Sequence, residues 1–213
     1  MRRSASKIAL FIGSLVFLAG CENFANSDRT SGSADIQTAQ SAGGSSQTPM
    51  QVNTAGLTKF EYVHNNEQFV AYSGAQTQVI EAKDNNGAAT FNYKNGKLVD
   101  AINSNGVRYQ AGGTNNADAT ALAARGDKLY KRLSYTAADK RQVNTGDDAK
   151  LNYLCITKIR QVAQTDRVFR SSANSANSKS RLTAEMRLNG NQFYKMDCQL
   201  DGNRVAKLSL MKK

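Results

Sequence analysis

Four kinds of side chain in this sequence could carry chemistry: one histidine, three cysteines, a Ser-x-x-Lys tetrad and a run of basic residues toward the C-terminal end. His64 is the sole histidine, so a set of imidazole ligands cannot be assembled, and the sequence calls for no metal and no cofactor. It closes a run from Leu57 in which Phe60, Tyr62 and His64 alternate onto one face, a position that suits a structural or surface imidazole better than a catalytic base. Ser209 and Lys212 have the spacing of a serine nucleophile and its lysine, but stand at the end of the last predicted strand without partner motifs. Asp147-Asp148 reads as a solvated acidic turn. There is no Gly-x-Ser-x-Gly elbow, phosphate-binding glycine loop or Asp-rich calcium loop. Without a nucleophile, base and orienting group linked by spacing, the expectation is a protein that is not an enzyme.

The basic run is the feature with direction. Lys158, Arg160, Arg167, Arg170, Lys179 and Arg181 are interrupted only by Asp166. The whole chain carries 28 Lys and Arg against 17 Asp and Glu, a formal +11. Three of those charges (Arg2, Arg3 and Lys7) precede an apolar segment, and residues 22–56 are slightly acidic. From Leu57 onward 24 basic and 14 acidic residues leave +10, and residues 146–213 alone hold 13 basic against 6 acidic. Such a run suits a positive rim that attracts polyanions or an acidic protein; it also suits a basic face that only favours solubility.

The apolar segment Ile8–Leu18 is 11 residues long, too short to cross a bilayer as a helix, which takes about 20. Three positive charges before it and small residues after it give it the shape of a secretory signal. Leu18-Ala19-Gly20-Cys21 resembles the lipobox of bacterial lipoproteins. The resemblance covers residues 1–21 and implies cleavage before Cys21, lipidation of its sulfur and membrane anchoring by acyl chains rather than by a spanning helix. Glu22 rather than Asp follows the cysteine, which in enteric-type sorting points to the outer membrane. Export removes nucleic acid as the default partner of a basic protein. Anionic envelope polymers, lipid headgroups and acidic proteins remain.

Residues 21–56 are rich in Ser, Gly, Thr, Gln, Asn and Ala and hold the chain's one proline, Pro49. They cannot bury enough apolar surface to offset their conformational entropy and read as a tether, with a random-coil span of roughly 30 to 35 Å.

From Leu57 to Lys213 the expectation is one folded α+β domain dominated by antiparallel sheet, in two meanders flanking one or two helices. Strands are expected over Leu57–His64, Gln76–Ala82, Ala88–Tyr93, Leu98–Ile102 and Val107–Gln110, with Asn66–Tyr72 either strand or a helical turn. Asn86-Gly87, Asn95-Gly96 and Asn105-Gly106 punctuate them, since both residues tolerate the positive φ of a tight hairpin turn. Ala117–Leu133 reads as a helix with Asp118 as N-cap, weakened by Gly126; Ser134–Val143 reads as a second helix or a crossing. Lys150–Val162 is expected as a strand and Ser171–Ser180 as a mobile loop. Strands Arg181–Leu188, Gln192–Leu200 and Arg204–Met211 follow, joined at Asn189-Gly190 and Asp201-Gly202.

Within this scheme Cys155 and Cys198 lie in strands with their thiols toward the core, and an exported chain with two remaining cysteines calls for a disulfide between them. The resulting reading is a non-enzymatic, lipid-anchored envelope protein, an interaction or accessory module whose basic C-terminal third makes the contact. The alternatives are a barrel-like module binding a small ligand between the two meanders, and an envelope hydrolase.

Overall fold

The computed structural model describes residues 53–135 and 146–213. The expected signal segment, Cys21, most of the expected tether and most of the expected helix Ser134–Val143 lie outside the described residues.

Turn chemistry sets the rhythm. Strands β1 (Thr58–His64), β2 (Glu67–Ser73), β3 (Thr77–Asp84), β4 (Gly87–Lys94), β5 (Lys97–Asn103) and β6 (Arg108–Gln110) form one antiparallel meander. Asn95 and Gly96 both have positive φ, 51° and 76°, as a two-residue hairpin turn demands. At Asn86-Gly87 only the glycine does, and the Asp84 carboxylate instead accepts the Asn86 N–H at 2.7 Å. Asn66–Tyr72 resolves as strand β2.

A second meander comprises β7 (Val168–Asn177), β8 (Arg181–Leu188), β9 (Gln192–Asp201) and β10 (Arg204–Lys212). Asn189 and Gly190 both take positive φ at its central turn. Parallel pairing of β1 with β10, in register Tyr62 to Leu208, joins the meanders into one ten-stranded sheet of order β6-β5-β4-β3-β2-β1-β10-β9-β8-β7. The sheet is open, with β6 and β7 at its two edges.

Two helices fill the interval between the meanders in sequence, α1 (Ala117–Leu133) and α2 (Asp147–Ala163). Their apolar stripes share one core with alternate residues of the strands, among them Phe60, Phe69, Phe91, Leu182, Met196 and Leu208. One face of the sheet, here called inner, therefore carries both helices. Residues 53–135 and 146–213 hold this core and its crosslink.

Helix α1 starts at Asn116 rather than Asp118: the Asn116 side chain accepts the Ala119 N–H at 2.8 Å. Gly126, which looks like a weak point in sequence, is buried against β4, and a Cβ there would lie 2.7 Å from Phe91 Cδ1.

Two element assignments are corrected as well. Lys150–Val162 is not a strand but lies inside α2. Leu151, Leu154, Cys155, Ile159 and Val162 recur at helical spacing and are all buried, while Tyr153, which alternation would have turned inward, is 38 % exposed. Ser171–Ser180 is not a loop: the chain from Val168 to Asn177 is strand β7, and only residues 178–180 turn toward β8. An edge strand is hydrogen-bonded along one side only, so its sequence needs no continuous apolar signal.

The Cys155–Cys198 disulfide is present, with Cα atoms 6.1 Å apart. It ties α2 to β9, helix layer to sheet, rather than strand to strand.

Candidate interaction surface

The six basic residues singled out in sequence do not form one rim. Lys158 belongs to the core side of α2: it is 3 % exposed, its Nζ lies 4.5 Å from the centre of the Phe60 ring, and it donates to Gln161 Oε1 at 3.0 Å. The reason is helical period, which puts position 158 on the same stripe as Leu154, Cys155 and Val162. Arg170 is half-buried and donates to Asn152 Oδ1 on α2. Arg181 is held in a two-pronged pair with Asp197, at 2.9 and 2.6 Å, which raises its pKa. Lys179 sits exposed in the β7–β8 turn, at the far end of β7 from Arg167. Only Arg160 and Arg167 come together, lining a shallow concavity with Gln164, Thr165, Asp166 and Asn189 where α2 ends and β7 begins.

The signal missed in sequence lies on the outer face of the second meander. Phe169 on β7 is the register partner of Arg187 on β8, and Arg187 is the partner of Phe193 on β9. Beyond Phe193 the Lys213 N–H donates to its carbonyl at 3.0 Å. Adjacent strands lie about 4.8 Å apart, so this row places an aromatic or a cation at each step across three strands and the residue that follows β10. Phe169 is 52 % exposed and Phe193 51 %, and the Arg187 guanidinium stands 5.0 Å from the centre of the Phe169 ring. In the next row Glu185 pairs with Lys195, and Lys195 with Met211, which is also exposed.

Charge on this face is not evenly compensated. Glu185 is engaged by Lys213 and Asp197 by Arg181, while among the described residues neither Arg187 nor Lys195 has an ion pair. On the outer face of the first meander Lys59 meets Glu61 at 2.6 Å and Arg108 meets Asp100 at 2.9 Å, and Lys207 of β10 reaches the same Glu61 at 3.5 Å. The hydrogen bond from Lys59 holds the Glu61 carboxyl below its usual range. The row was hidden in sequence because Phe169 lies on β7, where no strand was expected, so only Arg187 and Phe193, across the Asn189-Gly190 turn, were within reach of a local pattern.

His64 sits at the seam of the meanders. Its ring stacks on Tyr62 at 6.2 Å, tilts against Tyr194 at 5.7 Å, and its Nδ1 lies 3.5 Å from Glu67 Oε2. Burial lifts the Tyr62 hydroxyl to about 12, with Arg132 acting in the opposite direction. Ser209 is half-buried on the outer face of β10, and no group of three or more metal-ligating side chains occurs among the described residues. The four concavities described are each lined from a single meander with its neighbouring helix or loop, while the inner face between the meanders is occupied by core side chains. No described helix is long and apolar enough to cross a membrane.

No protein-family model matches the chain, and no solved structure matches it. A relative in Pasteurella multocida (strain Pm70), described as the uncharacterized protein PM0674, is 39 % identical over 236 aligned positions that span the whole of both chains. On that identity and coverage, the chain belongs to the same family as PM0674.

Proposed function

We propose that this protein is a non-enzymatic, lipid-anchored protein of the bacterial envelope, acting as an interaction or accessory module through the outer face of its second meander. The observation that carries the contact surface is the row Phe169, Arg187 and Phe193, in which exposed rings flank a cation with no carboxylate partner among the described residues. Exposed apolar groups beside uncompensated charge are what a binding surface needs and what a merely soluble face lacks. Arg160 and Arg167 extend the basic character to the start of β7.

The anchor rests on the lipobox-like Leu18-Ala19-Gly20-Cys21 behind a charged and apolar segment. Glu22 after the cysteine favours the outer membrane over the inner. Residues 22–56 then serve as the tether that lets the folded body reach a partner near the membrane.

Two measurements test this reading. Cells supplied with labelled palmitate incorporate label into the wild-type chain and not into Cys21→Ser; label in both, or in neither, overturns the anchor. A photo-crosslinking side chain at position 193 captures a partner in intact cells, whereas one at position 153 on the helix side does not; equal capture at the two positions overturns the contact surface.

A further inference from the structure

We infer that the outer face of the β7–β10 meander is a second membrane contact, one that docks on anionic phospholipid headgroups independently of the acyl chains. The inference deepens the contact-surface reading above and rests on it, but not on lipidation of Cys21.

Three of the five exposed large apolar side chains among the described residues, Phe169, Phe193 and Met211, stand on this one face, and each neighbours a cation in register. Arg187 lies between the two rings, Lys195 opposite Met211, and Lys213 beside Phe193. The carboxylates on the face are already engaged, Glu185 by Lys213, Asp197 by Arg181 and Asp201 by Arg204, while Arg187 and Lys195 have no ion pair among the described residues, so its outward charge is positive.

That alternation selects among occupants. A second copy of the chain meeting this face through a two-fold axis would bring two surfaces of the same positive charge together, which like-charge repulsion opposes. A folded acidic partner would have to match rings and cations that alternate at one-strand intervals of about 5 Å. An anionic lipid interface meets the pattern without a shape of its own: the rings enter the headgroup and acyl boundary while the cations meet phosphate beside them. Helices α1 and α2 cover the opposite face, so the sheet presents this surface unobstructed by any described element.

The test uses residues 22–213, which carry the core and disulfide and lack the apolar segment that would insert by itself. This protein is expected to co-sediment with phosphatidylcholine vesicles doped with phosphatidylglycerol and not with phosphatidylcholine alone. Phe169→Ser with Phe193→Ser should weaken that binding by about tenfold or more, and Arg187→Glu with Lys195→Glu likewise. The thermal melt of each variant should stay near that of the parent, because the altered side chains are exposed. Equal binding to charged and neutral vesicles, no binding to either, or unchanged binding by the Phe variant overturns the inference. So does soluble polyglutamate binding as tightly as the vesicles with the same Phe dependence. If vesicle binding is absent while position 193 still crosslinks to a protein in cells, the lipid assignment fails and the contact surface stands; loss of both removes both.

Discussion

The backbone carbonyl of Gly126, in the middle of helix α1, accepts the Tyr93 hydroxyl of strand β4 at 2.8 Å. This contact is possible because position 126 has no side chain. A Cβ there would fall 2.7 Å from Phe91 Cδ1 and 3.1 Å from the Tyr93 hydroxyl. Both rings are fully buried and cannot retreat without displacing the core.

Gly126→Ala is therefore expected to destabilise the protein, although the same change in an open helix stabilises by roughly 0.5–1 kcal/mol. Overpacking at this contact costs about 1–3 kcal/mol and outweighs that gain. Urea unfolding of the pair gives the sign directly, and a midpoint above wild type would show that α1 can move away from β4.

The disulfide closes a loop between positions 43 apart and ties α2 to the sheet. In the chain-entropy picture its loss costs about 4 kcal/mol, an upper figure. The Cys155→Ala, Cys198→Ala variant should melt well below the oxidised parent and no longer respond to reductant. A melting temperature that reductant leaves unchanged in the parent would show that the bridge does not restrain the unfolded chain.

Lys158 is a core residue rather than a surface contact, with its charge against Phe60 and its ammonium on Gln161. Lys158→Glu buries the opposite charge in surroundings built for a cation and should cost several kcal/mol, about 3–5 for an uncompensated buried charge. Lys158→Met keeps the stem and should cost far less. Chemical denaturation of both variants checks this; equal small losses would place the side chain at the surface.

Alkaline pH should destabilise the fold through two buried phenols. Desolvation raises Tyr62 to about 12 and, with the Asp127 charge adding in the same direction, raises Tyr93 as well. The unfolded chain thus releases these protons first, from about pH 10, while the folded protein retains them. Stability from this source is complete below about pH 10 and is lost as pH rises through the folded values. Tyr62→Phe should flatten the fall of melting temperature between about pH 10 and 12; an unchanged slope would mean that the phenol is not the group responsible.

Much of the scaffold was legible because it is written locally. Asn95-Gly96 and Asn189-Gly190 announce positive φ at adjacent residues, and both turns take it. Helix α1 matches the expected bounds, and the two cysteines meet as their number suggested. Helix α2 was misread because Leu151, Tyr153 and Cys155 also fit a period of two over a short window, while Ile159 and Val162 complete the helical stripe only over a longer one. Strand β7 was misread because its Ser- and Asn-rich composition resembles a loop, and pairing along β8 overrides that weak preference.

The sequence by itself determined the turns, the two-meander α+β plan, the disulfide partners, the distribution of charge and the lipobox-like segment, each of which depends on residue type and near neighbours. Tertiary structure alone decided that β1 lies parallel to β10, that Lys158 turns into the core, and that Phe169, Arg187 and Phe193 stand in one row. These follow from which strands lie side by side and in what register. That choice is made by the summed burial of the core and by backbone hydrogen bonds between distant segments, which no local pattern records.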